Sequence, residues 1–304
     1  MPTPLRFVRT EIRPLDGRDV GEVARRAEAD GFDVVCTADH LGLPDPFSPL
    51  AVAAAATSTL RVGTLVVNHD LWNPVVLARA AATLAVLSGG RFELGIGAGH
   101  AEVEYQAAGI PYDPPSRRVA RMTETVDVLR RLLDGETVTM AGDLHELREA
   151  AVGFEVPGRV PLLVGGNGDR VLATAARRAD IGGLTGFRSG TGRTHSDLSH
   201  FRWSGLAERI AHVRTCAGDR FDDLELNVLV QRVAVGDPQT EAERFAEASG
   251  HPVDLILDSP FVMLGGVDDL VEHCERLRAI GVGSIAAFGG RGADELAPVI
   301  ARIG

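Results

Sequence analysis

The sequence predicts an α/β fold, a single (β/α)8 barrel spanning residues 1–304. Three observations predict it. Eight short apolar runs alternate with segments of helical period. No shift of composition marks a linker between domains. Glycine, asparagine, aspartate and histidine recur just after the apolar runs, where the strands of such folds end. An open, doubly wound sheet shares the alternation, because strand order is invisible in sequence. Either way a ligand belongs at the carboxyl ends of the strands.

Taken in order, residues 5–8 read as the first strand. Asp16 to Asp19 offers caps for a helix reaching Asp30, with Gly31 beyond its end. Residues 32–37 (FDVVCT) are the second strand, followed by Asp39 and His40, and an alanine-rich helix covers 48–58. The third strand, 60–67, ends in Asn68, His69 and Asp70. Asn73-Pro74 is an N-cap with proline behind it, opening a helix that runs to Gly89-Gly90. Residues 91–96 (RFELGI) form the fourth strand, with Gly97-Ala98-Gly99-His100 on its end. A helix starts over 101–105, prolines 111, 114 and 115 break it, and a second runs over 116–133. A small β-hairpin at 138–140 and 145–147 turns through Gly142-Asp143.

The fifth strand opens the stretch PLLVGGNGDRVLATAARRAD, residues 161–180. Leu162, Leu163 and Val164 suit a strand buried on both faces. Gly165, Gly166, Asn167 and Gly168 tolerate unusual backbone angles, and a helix begins near Asp169. A strand, a glycine turn and a helix start together present free N–H groups at a positive dipole end. Such a place binds phosphate, to which Arg170 adds a charged fork. A turn holding nothing has the same sequence. Residues 181–184 are a sixth strand, 186–199 a long Gly/Ser/Thr/Arg loop, 204–217 a helix, and 224–235 the seventh strand. Helices over 239–249 and 267–280, an eighth strand at 284–288 and a last helix at 293–303 complete the chain.

Composition excludes whole classes. The net charge is −11, from 31 basic and 42 acidic residues, which argues against nucleic acid and anionic membrane as partners. Every basic residue is arginine. Without lysine there is no Schiff-base chemistry and no Walker-type phosphate loop. Cys36, Cys216 and Cys274 are odd in number and far apart, so neither a disulfide framework nor a thiolate zinc site is expected. The N-terminus, MPTPLRFVRT, lacks the apolar core of a signal peptide, and a reducing cytoplasm is the expected setting.

The strand ends therefore supply the candidates: Asp39 and His40; Asn68, His69 and Asp70; Gly97 to His100; Gly165 to Arg170; Thr185 and Gly186; Gln231 and Arg232; Gly289 and Gly290. A histidine beside an aspartate just past a buried strand is placed for acid/base work, although a packed loop histidine looks the same. Rival motifs fail. The glycine turn lacks the third glycine of the dinucleotide fingerprint. No His-Glu-x-x-His and no Gly-x-Ser-x-Gly occurs, and His195 and His200 read as solvated loop residues rather than zinc ligands. Arg117, Arg118, Arg121 and Glu124, spaced three and four apart, read as a mutually paired helix surface.

Residues 88–105, SGGRFELGIGAGHAEVEY, resemble the fourth-strand signature of the bacterial-luciferase-like family. The resemblance continues in Gly109-Ile110-Pro111, in Arg118 to Arg121, in the hairpin before PLLVGG, in 32–40 and in 267–283, and so covers nearly the whole chain. It is nearest to the branch that uses the deazaflavin coenzyme F420; other relatives use FMN with oxygen. The resemblance implies a TIM barrel with insertions and a small-molecule substrate, and it implies a homodimer. The cofactor's phosphate is expected at Gly165, Gly166, Asn167 and Gly168, with Arg170. Its ring is expected across the barrel mouth, against Asp39, Thr64, Leu65, Asn68, Gly97 and Gly99. A non-proline cis peptide is expected near Thr64–Leu65. His40, oriented by Asp39, is the expected acid/base. His100 stands where many relatives carry tryptophan or glutamate, and is the second catalytic candidate. The chemistry implied is hydride transfer between coenzyme F420 and an activated C=C, C=N or C=O group or an alcohol. An FMN-dependent monooxygenase and a non-catalytic cofactor-binding protein are the alternatives.

Overall fold

The structure, a computed structural model, describes residues 4–10, 19–142, 144–187 and 197–303. Eight parallel strands form the barrel: Arg6–Arg9, Val34–Thr37, Arg61–Thr64, Phe92–Gly97, Leu162–Gly166, Ile181–Leu184, Glu225–Val230 and Ser284–Ala287. Each pairs with its neighbours in chain order. The first strand meets the eighth, with Phe7 opposite Ile285, and the third meets the fourth, with Val62 opposite Phe92, so the cylinder is closed. This settles the barrel against the open sheet.

Local chemistry starts the helices where the sequence predicts. Asp19 accepts from the Glu22 amide at 3.0 Å and opens the helix Val20–Ala29; Asp16, the other expected cap, lies outside the described residues. Asn73 accepts from the Val75 amide at 2.9 Å, ahead of Pro74, and opens Pro74–Leu87. Between strands and helices lies one continuous core in which Leu50, Leu77, Phe92, Leu94, Met122, Leu129 and Leu162 are fully buried. Each large apolar side chain so buried stabilises the fold by roughly 1.5–3 kcal/mol.

Inside the cylinder, Val8, Val34, Cys36 and Ala286 pack with Leu65 and Leu229. The amino-terminal end is closed by ions: Arg6 bonds Glu93 at 2.5 Å and Glu225 at 2.8 Å, and Arg61 also bonds Glu93. The cavity left in the lumen is about 20 Å³, room for little more than one water. A larger ligand is confined to the open mouth.

Two expected strands change. The third, expected over 60–67, stops at Thr64. A cis peptide joins Leu65 to Val66, one bond beyond the expected place, and a two-residue strand Val67–Asn68 resumes against the fourth strand. The seventh, expected over 224–235, is two strands. Glu225–Val230 belongs to the barrel; Arg232–Val235 leaves it to pair with Val262–Gly265, a strand the sequence reading missed. From Val228 on, only Gln231 and Arg232 interrupt the apolar residues, which made one long strand the simpler reading, but the alternation changes phase there, from Leu226, Val228 and Val230 to Val233 and Val235. The hairpin forms, as Val138–Ala141 and Glu146–Ala150; Asp143 and residues 188–196 of the long loop, His195 among them, lie outside the described residues.

Candidate active site

The mouth is built from the carboxyl ends of the strands. Past the second strand, Asp39 is 8% exposed. Its Oδ2 accepts from the Trp72 indole at 2.8 Å and from the Asn68 amide at 3.2 Å. It ties the second strand end to the third. Burial raises its carboxyl pKa, and the two donors oppose that. It does not hold His40, contrary to expectation. The His40 Nδ1 instead meets Glu104 Oε1 at 2.7 Å. Glu104 comes from the helix Glu102–Ala108 after the fourth strand. The His100 ring stands edge-on to His40, 5.6 Å between centroids. Desolvation, then the neighbouring His40, lower the His100 pKa.

The third strand supplies the floor. The buried Thr64 hydroxyl donates to the Gly95 carbonyl and accepts from the Gly95 amide, each at 2.9 Å. It stitches the third strand to the fourth where the ladder ends. Leu65 and Val66 follow, half-buried at the mouth. Val66 lies over the fourth strand so closely that a Cβ on Gly97 would come within 2.8 Å of it. The Asn68 Oδ1 is also committed to the protein, accepting from the Asp70 amide at 3.2 Å and lying 3.2 Å from the Tyr105 hydroxyl.

Gly99 has φ +67°, and a Cβ there would overlap the Tyr105 hydroxyl at 2.0 Å. Tyr105 is fully buried and donates to Asp70 at 2.9 Å. Asp70 also accepts from Arg121 at 2.6 Å, and Arg121 reaches Asp113 at 2.7 Å. Arg118, buried, lies over the Tyr112 ring at 4.1 Å and donates to the carbonyls of Asp113 at 2.6 Å and Ala98 at 3.3 Å. The arginines of the helix Pro115–Leu133 therefore clamp the mouth loops. The expected mutual pairing with Glu124 is absent; Glu124 accepts from the His145 amide at 2.8 Å and anchors the hairpin. His69 is buried beside Asp70, its pKa lowered to about 4 by burial. Neutral and enclosed, it is a packing residue.

At the glycine turn, Gly166 has φ +154° and sits so close to the next helix that a Cβ would lie 2.9 Å from Val171. Gly168 opens the helix Asp169–Arg178, and no side chain caps it. Its first N–H groups are left for another acceptor. Arg170 is exposed beside them. Asn167 is buried; its amide contacts His200 at 3.2 Å and its Oδ1 has no hydrogen-bond partner. His200, expected to be solvated, has a side chain 12% exposed against this turn. The helix Trp203–Ala217 packs against Asp169–Arg178 and carries it inward, which loop composition did not foretell.

Glu104 and Trp72 are the mouth residues that sequence reading missed. The signal for Glu104 was its spacing, four residues beyond His100 and two into a helix leaving a strand end. Among the described residues, no cluster of three or more His, Cys, Asp or Glu is arranged to hold a metal.

The sequence pattern of the luciferase-like monooxygenases matches residues 7–250. The chain is 35% identical over 154 residues to 5,10-methylenetetrahydromethanopterin reductase of Archaeoglobus fulgidus, covering 51% of this chain and 45% of that protein. It is 36% identical over 174 residues to F420-dependent glucose-6-phosphate dehydrogenase of Intrasporangium calvum, covering 54% and 52%. It thus spans about half the length of these two. A dehydrogenase of the same name from Beutenbergia cavernae is 32% identical over 270 residues, covering 86% of this chain and 75% of that one. Among solved structures, an F420-dependent secondary alcohol dehydrogenase with an F420–acetone adduct superposes with a TM-score of 0.78 at 22% identity, covering 100% of both chains. The F420-dependent tetrahydromethanopterin reductase of Methanopyrus kandleri gives 0.75 at 18%, covering 100% and 99%. These superpositions establish the fold.

Proposed function

Since the chain belongs to the luciferase-like monooxygenase family, we propose that it is an oxidoreductase of that class, one luciferase-like domain over 1–304, using coenzyme F420. The names of its curated relatives support the coenzyme. The one observation that carries the chemistry is the His40–Glu104 pair at the barrel mouth.

The residues present fit the coenzyme. The uncapped helix start behind Gly166 suits its phosphate, with Arg170 adjacent. Leu65 and Val66 provide an apolar floor for a flat ring, and the absence of a Cβ at Gly97 leaves room for Val66 to lie in that floor. When bound, the deazaflavin supplies or accepts a hydride. The protein's part is orientation and proton movement. Glu104 fixes the His40 ring through Nδ1, which leaves Nε2 to give or take a proton at the substrate heteroatom. Asp39, pinned by Trp72 and Asn68, holds the second and third strand ends in register.

The test is a fluorescence titration of F420 and of FMN into the purified protein. Tight binding of F420 with weak or no binding of FMN is expected. Preference for FMN, together with oxygen uptake on reduction, would replace this reading with the monooxygenase. We also propose a homodimer in the cytoplasm. Val52, Val76, Val86 and Leu87 are exposed on the adjoining helices Ser48–Ala56 and Pro74–Leu87, and the three thiols are free. A monomeric mass by light scattering would sink the dimer.

A further inference from the structure

Apart from the His40–Glu104 pair, another histidine is built into the rim, at the glycine turn. Asn167 stands between Gly166 and Gly168 and is 3% exposed. Its Nδ2 lies 3.2 Å from His200 Nδ1, and among the described residues its Oδ1 has no hydrogen-bond partner. His200 is brought there by the helix Trp203–Ala217. Gly205 lets the backbone of His200 lie against the first turn of that helix; a Cβ at Gly205 would fall 2.4 Å from the His200 Cα. The same helix is fastened to the start of Asp169–Arg178. Arg209 pairs with Asp169, and His212 Nε2 donates to the Asp169 carbonyl at 3.1 Å. Imidazole, amide and uncapped helix start are thus held together.

The protonation state of His200 decides which way the Asn167 amide faces. A neutral ring carrying its proton on Nε2, toward Glu208 Oε1 at 3.6 Å, accepts from Asn167 at Nδ1. The amide then spends an N–H on His200 and leaves its oxygen, an acceptor, unspent. A protonated ring has no acceptor at Nδ1. The amide must then turn over, so that Oδ1 accepts from Nδ1–H and both Nδ2 hydrogens are released. An oxyanion at the turn takes such a donor, and the imidazolium charge attracts it.

We propose that His200 is a positioning residue for the phosphate of the bound coenzyme: its protonated form turns the Asn167 amide so that Nδ2 donates to a phosphate oxygen, and its neutral form withdraws that donor. The inference rests on the reading of this turn as the coenzyme's phosphate site. Binding then takes up a proton, so affinity is highest at low pH and falls as pH rises through the titration of His200. Several described charges are packed around the ring. Glu208, on its own helix, favours the imidazolium; Arg209, bonded to Glu208 and Asp169, and Arg170 oppose it. Asp197, which accepts from the Ser199 amide at 3.0 Å, adds negative charge on the loop side. The Ser199 hydroxyl, 3.4 Å from Nδ1, serves as donor or acceptor in either state. Carboxylates and guanidinium groups hold their charge near neutral pH, so the pH dependence at this turn falls to His200 and His212.

The experiment titrates the full chain with F420 from about pH 5.5 to 8.5, by fluorescence and by calorimetry in two buffers of different ionisation enthalpy. Proton uptake is expected, with a Kd that rises by up to about tenfold per pH unit on the alkaline side. His200→Gln, which keeps a donor and an acceptor but no charge, should abolish the uptake and flatten the slope. His212→Gln should leave both intact. The phosphate-free deazaflavin nucleoside, which shares the ring and so reports on His40 and His100, should lack the His200-dependent slope. In parallel, sulfate, whose charge is constant over this range, is added while the His200 ring is followed by NMR; its titration should move to higher pH. F420 binding that is independent of pH, a slope retained in His200→Gln, or a His200 titration indifferent to both sulfate and F420 overturns the inference and leaves the coenzyme reading standing. A sulfate shift without any F420 binding supports the His200–Asn167 anion device and sinks the coenzyme reading instead.

Discussion

His40 Nδ1 and Glu104 Oε1 are 2.7 Å apart although 64 residues separate them in the chain. One follows the second barrel strand, and the other rides the short helix behind the fourth. The closed barrel brings the ends of these strands to one rim. The carboxylate adjacent in sequence, Asp39, is turned away to Trp72.

Replacing either member of that pair should affect proton transfer before binding. His40→Ala is expected to lower turnover by about 10²–10⁴-fold with the coenzyme dissociation constant nearly unchanged. Glu104→Gln should lower turnover in the same direction and displace the pH profile. Asp39→Asn, which keeps an acceptor for Trp72, should cost less than Glu104→Gln. Equal losses for the two would return His40 to the control of Asp39.

Gly166 separates the phosphate turn from the acid/base pair. Valine there would occupy a φ of +154° and meet Val171 at 2.9 Å. Gly166→Val should weaken F420 binding by about tenfold or more, roughly 1.4 kcal/mol. Unaltered titration of a folded Gly166→Val protein would remove the phosphate from this turn.

Tyr105 supports the mouth from beneath. Tyr105→Phe deletes a fully buried hydroxyl 2.9 Å from Asp70, and leaves that carboxylate and Asn68 Oδ1 short of a donor. A loss of about 1–3 kcal/mol in urea unfolding is expected. No loss would mean that water replaces the hydroxyl without penalty.

Acid should destabilise the fold in two windows. Burial lowers His69 and His273 each to about 4. Between their ordinary value near 6.5 and 4, the unfolded chain binds protons that the folded chain does not. Stability therefore falls as pH drops through that range, by up to about 1.4 kcal/mol per pH unit for each histidine. Glu28, its pKa lowered to about 2 by the amides of Thr59, Leu60 and Ser58, gives the second window. Its contribution is whole above its ordinary value of 4.5 and is lost as pH falls toward 2. Urea midpoints from pH 8 to 3 test both. His273→Gln, which keeps a donor for the Pro260 carbonyl, should flatten the first window.

The eight barrel strands, the helix starts at Asp19 and Asn73, the glycine turn and the rim that would carry chemistry are legible in the primary sequence. These depend on neighbours a few residues away: alternation of apolar runs, N-caps, and glycine where a Cβ cannot fit. The closed fold is what makes Glu104 rather than Asp39 hold His40. It also commits the Thr64 hydroxyl and the Asn68 Oδ1 to the protein, makes Arg118 and Arg121 clamp loops, and divides the seventh strand at Gln231. A side chain's partner is fixed by which strand ends meet at the closed rim. That meeting is a property of the cylinder, and local spacing does not specify which side chains it pairs.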